Sequence, residues 1–179
     1  MRIAISGSHA TGKSSLVSEL ERRLSGFTAI DEPYYLLEDE GHAFGAPPTV
    51  DDFELLLGRS VSLLAERRSG HVLFDRCPAD YLAYLMALSP ETVSRDLAAE
   101  VDSSMASIDL VVFVPIERPD RIEMAEAPRL RRKVDGILRD MLIDGGWKFD
   151  ASVVAVCGTP EARAYQVEAR LARMVDHTT

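Results

Sequence analysis

The sequence is poor in the residues and runs that several classes of protein require. Its 179 residues include two cysteines, Cys77 and Cys157, and four histidines without ligand spacing, so we expect neither a disulfide framework nor a structural metal site. No apolar run approaches the ~18 residues of a membrane span. The amino-terminal residues lack the apolar core of a secretory signal. We therefore expect a cytoplasmic protein that has no membrane partner.

Positive charge is also scarce. The chain carries 20 Lys and Arg against 29 Asp and Glu, which gives a formal net charge of −9. Proteins that bind a nucleic-acid backbone normally present a basic face, so nucleic acid is not an expected partner. The remaining composition, with 46% hydrophobic and 27% charged residues, is typical of a globular domain rather than a disordered chain.

Short apolar runs alternate with helix-patterned stretches along the chain, which indicates βαβ units around a parallel sheet. The predicted strands cover residues 2–6, 27–30, 71–74, 109–114 and 151–157. The predicted helices cover residues 14–24, 51–68, 78–88, 90–107, 129–142 and 161–175. Residues 34–48 contain two glycines and a Pro-Pro pair, so we predict a loop there with at most one helical turn.

A glycine-rich segment between the first strand and the first helix carries the strongest functional signal. The run Gly7–Ser14 fits G-x-x-x-x-G-K-[ST], a pattern whose backbone N–H groups surround the phosphates of a nucleotide. Lys13 adds a positive charge on the γ-phosphate, and the Ser14 hydroxyl is the expected Mg²⁺ ligand. We expect ATP and Mg²⁺ as cofactors, with Lys13 exposed at the mouth of the loop. The predicted cofactor-binding residues of this loop are Gly7, Ser8, His9, Ala10, Thr11, Gly12, Lys13, Ser14 and Ser15.

The motif and the element pattern together predict an α/β protein with a three-layer P-loop NTPase fold. Its parallel five-stranded sheet is predicted to have the strand order 2-3-1-4-5, with helices on both faces. We predict a single P-loop domain over residues 1–179, with a helical lid at about residues 116–146 inserted after the fourth strand.

An acid and a base end the third predicted strand. In doubly wound sheets ligands lie beyond the carboxyl ends of the strands. Asp75 can therefore support Mg²⁺ or take a proton from the attacking group, and Arg76 can contact the transferring phosphoryl group. The alternative is an ordinary salt bridge at the end of a strand. Asp80 lies in the first turn of the next predicted helix, where a helix-stabilising role and a functional role are equally open.

The residues from Leu73 to Tyr84 read Leu-Phe-Asp-Arg-x-x-x-Asp-x-x-Ala-Tyr and resemble the Asp-Arg segment of P-loop nucleoside and nucleotide kinases. With the phosphate loop and the Asp31-Glu32-Pro33 turn, the chain most closely resembles the ATP-binding domains similar to bacterial ribosylnicotinamide kinases. By resemblance to deoxynucleoside kinases, Glu32 is the base that deprotonates the acceptor hydroxyl, the alternative being a solvated turn residue. The resemblance also implies that three residues lie against the nucleotide base: Gly158, Thr159 and Pro160.

Basic residues concentrate in the part of the chain that resembles the arginine-bearing lid of such kinases. A lid of this kind closes over the triphosphate, excludes water and stabilises the spread charge, so we predict catalytic roles for Arg121 and Arg132. The alternative is a solvated helix face. The seven basic residues between Glu117 and Asp140 are Arg118, Arg121, Arg129, Arg131, Arg132, Lys133 and Arg139.

The region from Leu24 to Gly58 contains no Lys or Arg and eight acidic residues. An acidic wall would repel a phosphate dianion, which proteins usually hold with arginine pairs. We therefore expect a small-molecule acceptor that carries a free hydroxyl and no phosphate. The eight acids are Asp31, Glu32, Glu38, Asp39, Glu40, Asp51, Asp52 and Glu54.

The sequence thus predicts an ATP- and Mg²⁺-dependent kinase that transfers the γ-phosphoryl group to a hydroxyl of a nucleoside-like small molecule. A regulatory or switch NTPase is the alternative, although the Asn-Lys-x-Asp motif of GTPases is missing, and a non-catalytic ATP-binding protein is the third. The oligomeric state is open, with a dimer among the options. The predicted metal ligands are Ser14 and Asp75. The predicted catalytic residues are Lys13, Glu32, Asp75, Arg76, Arg121 and Arg132.

Overall fold

The computed structural model describes residues 1–66, 70–120, 126–147 and 150–176. Within these ranges the strands are β1 (Arg2–Ser6), β2 (Phe27–Ile30), β3 (His71–Asp75), β4 (Leu110–Phe113) and β5 (Ser152–Ala155). The helices are α1 (Lys13–Arg23), α2 (Pro33–Asp39), α3 (Val50–Glu66), α4 (Pro78–Leu88), α5 (Arg95–Met105), α6 (Pro128–Leu142) and α7 (Pro160–Asp176). None of the helices in the described ranges has both the length and the apolar character that crossing a bilayer requires.

The strands form one parallel sheet in the order β2-β3-β1-β4-β5, which confirms the predicted strand order. The register aligns Ile5 with Asp75 on one side of β1 and Ser6 with Phe113 on the other. The carboxyl ends of β1, β3 and β4 therefore lie at the same edge of the sheet. This edge brings the phosphate loop next to Asp75 and next to the segment that leaves β4.

Two hydrophobic cores cover the sheet, because successive residues of a strand point to opposite faces. On one face Ile3 and Ile5 pack with α1 and α7, where Val167 is fully buried. On the other face Phe74 and Phe113 pack beneath α3, α4, α5 and α6. Both faces are covered, as an all-parallel sheet requires.

Two segments differ from the sequence-based expectation. The chain after β2 forms the two turns of α2, with Pro33 in the first turn, where its missing N–H costs no hydrogen bond. The helix predicted over residues 90–107 is divided into a 3₁₀ turn at Pro90–Thr92 and α5. The division occurs because Ser94 caps α5, its Oγ accepting a hydrogen bond from the Leu97 N–H at 3.1 Å.

The two cysteines lie in different environments. Cys77 is fully buried at the start of α4, whereas Cys157 is exposed just after β5. The backbone of Cys157 is fixed by Gln166, whose side chain accepts from its N–H at 3.3 Å and donates to its carbonyl at 2.7 Å. Cys157 lies outside the sheet, because β5 ends two residues before it.

Candidate active site

The phosphate loop runs from Gly7 to Gly12 at the carboxyl edge of the sheet, between β1 and α1. Gly7 must be glycine, since a Cβ there would lie 2.5 Å from the Val114 carbonyl oxygen. Gly12 has a φ of 85°, in the left-handed region, where glycine is tolerated best as the chain turns into α1. This path puts the amino end of α1 beside the loop, an arrangement that attracts phosphate.

Lys13 is buried, whereas we predicted that it would be exposed. Only 5% of the residue is accessible, and its Nζ donates to the Ser8 carbonyl at 2.8 Å. Burial, followed by the charge of Arg76, lowers the pKa of the Lys13 ammonium to about 8. Arg76 contacts the same loop, because its Nη1 donates to the Gly7 carbonyl at 2.9 Å. The loop closes over Lys13, a tertiary effect that the local sequence pattern does not contain.

Two arginines from distant helices hold the rest of the loop. Arg131 of α6 donates from Nε to the His9 carbonyl and from Nη2 to the Ala10 carbonyl, each at 2.9 Å. Arg163 of α7 donates from Nη1 to the Thr11 carbonyl at 2.7 Å. Together with the contacts of Lys13 and Arg76, these bonds mean that every backbone carbonyl from residue 7 to residue 11 accepts a hydrogen bond from a Lys or Arg side chain. These hydrogen bonds fix the curved path of the loop, the kind of backbone concavity that binds an anion.

Asp80 accepts hydrogen bonds from the start of the phosphate loop and also caps α4. Its Oδ1 accepts from the Gly7 N–H at 2.8 Å and from Ser6 Oγ at 3.1 Å. Its Oδ2 accepts from the Cys77 N–H at 2.9 Å, which completes a capping box at the start of α4. The residue is fully buried. The two roles that the sequence left open are therefore combined in one carboxylate, which positions the loop through the backbone.

Asp75 and Ser14 meet at the end of β3. Ser14 Oγ donates to Asp75 Oδ2 at 2.6 Å, while Asp75 Oδ1 is buried and has no hydrogen-bond partner within the described part of the chain. Burial raises the pKa of the Asp75 carboxyl, and the Ser14 hydrogen bond opposes the shift. An unpartnered carboxylate oxygen next to a hydroxyl is an oxygen donor set that fits Mg²⁺.

Glu32 and Arg76 form an ion pair between the acid turn after β2 and the end of β3. Arg76 Nε donates to Glu32 Oε1 at 2.5 Å. Arg76 has a positive φ of 78° and is 6% exposed, so its side chain is turned inward beneath the phosphate loop. The Glu32 side chain retains 16% exposure. One guanidinium thus connects the predicted base to the loop at Gly7.

A cavity of about 560 Å³ lies beside this ion pair. One end is formed by polar residues: Lys13, Ser14, Glu32 and Arg76. The walls include five aromatic rings from α2, α3 and α4: Tyr34, Tyr35, Phe53, Tyr81 and Tyr84. Phe53 and Tyr84 are stacked with their ring centroids 4.6 Å apart. The cavity therefore combines an apolar, aromatic body with a charged end at the phosphate loop, the usual composition of a small-molecule site.

The acidic wall that we inferred between Leu24 and Gly58 does not surround this cavity. Of the eight acids, Glu32 is the member that lines it among the described residues. Asp52 instead fixes a loop, accepting from the Thr49 and Gly45 N–H groups at 2.8 and 3.1 Å. The expectation of a repelling wall was wrong. The sequence gives the net charge of this segment, but it does not show which carboxylates face the cavity.

His9 connects the phosphate loop to α4 and to the segment that precedes α6. Its backbone N–H donates to the Tyr84 hydroxyl at 2.9 Å, and its Nε2 lies 2.6 Å from the Glu126 carbonyl, which can only accept. The imidazole therefore carries its proton on Nε2, and the Tyr84 hydroxyl, 2.8 Å from Nδ1, donates to that nitrogen. Burial lowers the pKa of His9, which favours this neutral form.

A smaller cavity, about 130 Å³, lies on the other side of the loop. Gly158 and Pro160 line it together with Arg163, while Thr159 is exposed and its Oγ1 accepts from the Ala162 N–H at 3.3 Å. Glu117, in the segment that follows β4, connects Gly158 to Arg163 of α7. Its Oε1 accepts from the Gly158 N–H at 2.6 Å and from Arg163 Nη2 at 2.9 Å. The segment that we predicted to lie against the nucleotide base therefore borders the phosphate loop.

Residues 2–163 match the protein family described as an AAA domain. The chain belongs to this family. No curated protein matches the sequence. The match covers the phosphate loop, Asp75-Arg76, α6 and the start of α7, so all the described elements of the site lie within the AAA domain.

The fold of this AAA domain is similar to those of solved P-loop kinases. Deoxyadenosine kinase from M. mycoides has a TM-score of 0.65 at 12% identity, over 97% of this chain and 100% of that chain. Thymidylate kinase from Candida albicans has a TM-score of 0.65 at 18% identity, over 98% and 92%. Shikimate kinase from Aquifex aeolicus has a TM-score of 0.59 at 17% identity, over 98% of each chain. These similarities establish a P-loop kinase fold, as the sequence motifs predicted.

Helix α6, which lies in the predicted lid, brings Arg131 rather than Arg132 to the phosphate loop. Arg131 is 3% exposed and pairs with Asp120 while it donates to the loop. Arg132 lies on the exposed side of α6. Arg121, our other predicted lid residue, lies outside the described residues. A sequence signal for Arg131 existed, because it shares a helical stripe with the buried Val134 and Leu138.

Proposed function

We propose that this AAA domain binds ATP with Mg²⁺ and transfers the γ-phosphoryl group to a hydroxyl of a small, nucleoside-like acceptor. The observation that carries the proposal is the Glu32–Arg76 ion pair, which joins the 560 Å³ cavity to the phosphate loop. A carboxylate that borders both a ligand cavity and a nucleotide site can act as a base between them. The P-loop kinase fold supports the same assignment.

The nucleotide side is assigned to the phosphate loop and its neighbours. Lys13 and the loop N–H groups bind the β- and γ-phosphates, and Gly158 and Pro160 border the base. Within the described ranges no three His, Cys, Asp or Glu side chains cluster as a metal site. Ser14 and Asp75 would therefore hold Mg²⁺ together with phosphate oxygens, as this ion prefers. The ion, when bound, neutralises charge on the phosphates.

The acceptor side is assigned to Glu32 and Arg76. Glu32 accepts the proton of the acceptor hydroxyl as its oxygen attacks the γ-phosphorus, and the bond to the β–γ bridging oxygen breaks to release ADP. Arg76 fixes the carboxylate and the loop relative to each other and stabilises the transferring group. Asp75 is the alternative base, but its hydrogen bond to Ser14 favours the metal role.

We propose that the acceptor carries no phosphate, on a different ground from the acidic wall. Among the described residues that line the cavity, Lys13 and Arg76 are the lysine and arginine side chains. Lys13 is already assigned to the phosphates of ATP, and Arg76 is a single arginine that is paired with Glu32 and bonded to the Gly7 carbonyl. Arg59 points elsewhere, to Glu40 and Glu66 at 3.0 and 3.1 Å. A bidentate arginine pair for a monophosphate dianion is therefore not provided by this lining.

The test measures ADP release from ATP and Mg²⁺ with a panel of nucleosides and their 5′-monophosphates. We expect release that depends on a nucleoside and a lower rate with every monophosphate. Lys13→Ala is the matched control and should reduce the rate by about 100-fold or more, because it removes charge from the transition state. Acceptor-independent hydrolysis would instead indicate a switch NTPase. Binding of ATP without ADP release would indicate a non-catalytic nucleotide-binding protein.

A further inference from the structure

Two tyrosines three residues apart on α4 border the acceptor cavity, but their hydroxyl groups differ in hydrogen bonding. The Tyr84 hydroxyl accepts from the His9 N–H at 2.9 Å and donates to His9 Nδ1 at 2.8 Å. The Tyr81 hydroxyl is buried and has no hydrogen-bond partner within the described part of the chain. Tyr81 is 1% exposed and Tyr84 is 4% exposed, so burial alone does not distinguish them.

A buried hydroxyl without a partner is unfavourable, and native structures satisfy nearly all such groups. Tyr81 belongs to the hydrophobic core, yet charged groups also lie close to it. The Arg76 guanidinium lies 5.9 Å from its ring centroid, and Glu32 and Arg76 line the same cavity. Burial and the negative charge of Glu32 raise the pKa of the Tyr81 phenol well above its usual value. The hydroxyl therefore keeps its proton and can both donate and accept.

The other unpartnered oxygens at this edge of the sheet point to the same explanation. Ser8 Oγ and Asp75 Oδ1 are buried without partners in the described chain. One belongs to the phosphate loop, and the other faces the place assigned to Mg²⁺. Both therefore lie where a ligand would complete their hydrogen bonding or coordination. Tyr81 is the corresponding unpartnered group on the acceptor side.

We propose that Tyr81 is a specificity-determining residue whose hydroxyl hydrogen-bonds a polar group of the acceptor. This inference rests on the proposed function and deepens it, since it states what the acceptor must carry besides the reacting hydroxyl. The stacked rings of Phe53 and Tyr84 border the same space and favour a flat ring. The structure thus selects an acceptor with a planar ring and a hydrogen-bonding group that reaches α4.

The experiment compares Tyr81→Phe with Tyr84→Phe, because each change removes one oxygen from the same helix. The probes are adenosine, cytidine and uridine, followed by analogues of the best of them that lack one amino, carbonyl or hydroxyl group. For Tyr81→Phe we expect kcat/KM for the best nucleoside to fall about 10- to 100-fold, with most of the change in KM. Its melting temperature should stay the same or rise. Tyr84→Phe should lower the melting temperature, because it removes the partner of His9.

The analogues show whether the Tyr81 hydroxyl contacts the acceptor. For one analogue, the kcat/KM of wild-type protein should fall by the same factor that Tyr81→Phe shows on the parent nucleoside. The kcat/KM of Tyr81→Phe should be the same on this analogue and on the parent nucleoside. Equal kcat/KM for wild type and Tyr81→Phe on every nucleoside would overturn the inference. A uniform loss on all analogues with a lower melting temperature would also overturn it, since that result describes a structural residue.

The proposed function can fail separately. If wild-type protein binds a nucleoside in calorimetry but transfers no phosphoryl group, the kinase proposal fails. The dissociation constants of wild type and Tyr81→Phe then decide the inference by the same criterion, because a 10- to 100-fold weakening is expected. If no nucleoside binds or reacts, both the nucleoside-like acceptor and the Tyr81 contact are rejected.

Discussion

The phosphate loop and the proposed acceptor cavity share a border, yet the backbone carbonyls of the loop and the Tyr81 hydroxyl of the cavity differ in hydrogen bonding. From residue 7 to residue 11 each loop carbonyl accepts a hydrogen bond from Lys13, Arg76, Arg131 or Arg163. In the cavity, by contrast, the buried hydroxyl of Tyr81 lacks a partner among the described residues. The loop thus has its shape before a nucleotide arrives, because the chain supplies the contacts. The cavity leaves part of its hydrogen bonding to the ligand.

This difference also separates nucleotide binding, which is general, from the selection of one acceptor. A loop fixed by the fold serves any reaction that uses a nucleoside triphosphate, because it recognises the phosphates. Selectivity between acceptors depends on groups that the protein does not satisfy by itself, since an analogue that lacks the matching group leaves them unpaired. Changes on the loop side should therefore act on stability and on every nucleotide-dependent step, whereas changes in the cavity should act on one ligand at a time.

The strongest test of the loop side is Asp80→Ala. It removes the acceptor of the Gly7 and Cys77 N–H groups from a fully buried site, and we expect a loss of about 3 kcal/mol in the free energy of unfolding. Denaturant unfolding measures it. The matched control is Asp96→Ala, an exposed acid in the first turn of α5, which should cost at most ~1 kcal/mol. Equal losses would mean that Asp80 only complements a helix dipole.

A smaller effect is expected from a change in helix α6, in the predicted lid. Arg131→Ala removes two hydrogen bonds from the loop, and we expect kcat/KM for ATP to fall about 10- to 100-fold. Arg129→Ala, an exposed change at the start of the same helix, should alter it less than about twofold. Steady-state kinetics with varied ATP measures both. Arg132→Ala tests the sequence-based hypothesis directly, and a fall as large as that of Arg131→Ala would restore a lid role to Arg132.

The smallest expected effect is on pH dependence. The pKa of Lys13 is lowered to about 8 by burial, so the free protein loses this positive charge as the pH rises through 8. Bound phosphates favour the charged form and raise that pKa, so ATP binding should take up a proton near pH 8. The dissociation constant for ATP should therefore rise several-fold, at most about tenfold per pH unit, from pH 7 to pH 9. Calorimetry in buffers of different ionisation enthalpy measures both quantities.

A comparison with Lys13→Met isolates this titration, because methionine carries no proton at that position. The variant should bind ATP more weakly at pH 7 and show a flat profile between pH 7 and pH 9. A wild-type profile that is equally flat would mean that Lys13 keeps its charge in the free protein.

The parts of this fold that follow from sequence are those governed by periodicity and by local motif chemistry. β1 and β2 have the predicted bounds, and the sheet has the predicted order. The phosphate loop and the acid turn after β2 lie at the predicted edge. These features depend on alternation of apolar runs, on glycine positions and on the handedness of βαβ units.

The features that the sequence did not reveal depend on contacts between distant residues. The burial of Lys13 results from the closure of the loop around it, and Arg163 meets the Thr11 carbonyl from 152 positions away. Arg131 and Arg132 are adjacent basic residues of α6, yet Arg131 is buried and Arg132 is exposed. Only a reading of Arg131 as part of the apolar stripe would have separated them. The orientation of the eight acids after β2 likewise required the path of α2 and α3.

The contrast between the two cysteines makes the protein convenient for spectroscopy. Burial and the neighbouring Asp80 carboxylate raise the pKa of the Cys77 thiol well above its usual value, so a maleimide reagent meets one accessible thiol in the native state, that of Cys157. Its backbone is fixed by Gln166 and it directly precedes Gly158 at the smaller cavity. A fluorophore attached there stands beside the place assigned to the nucleotide base, so the native chain provides its own position for an optical binding sensor.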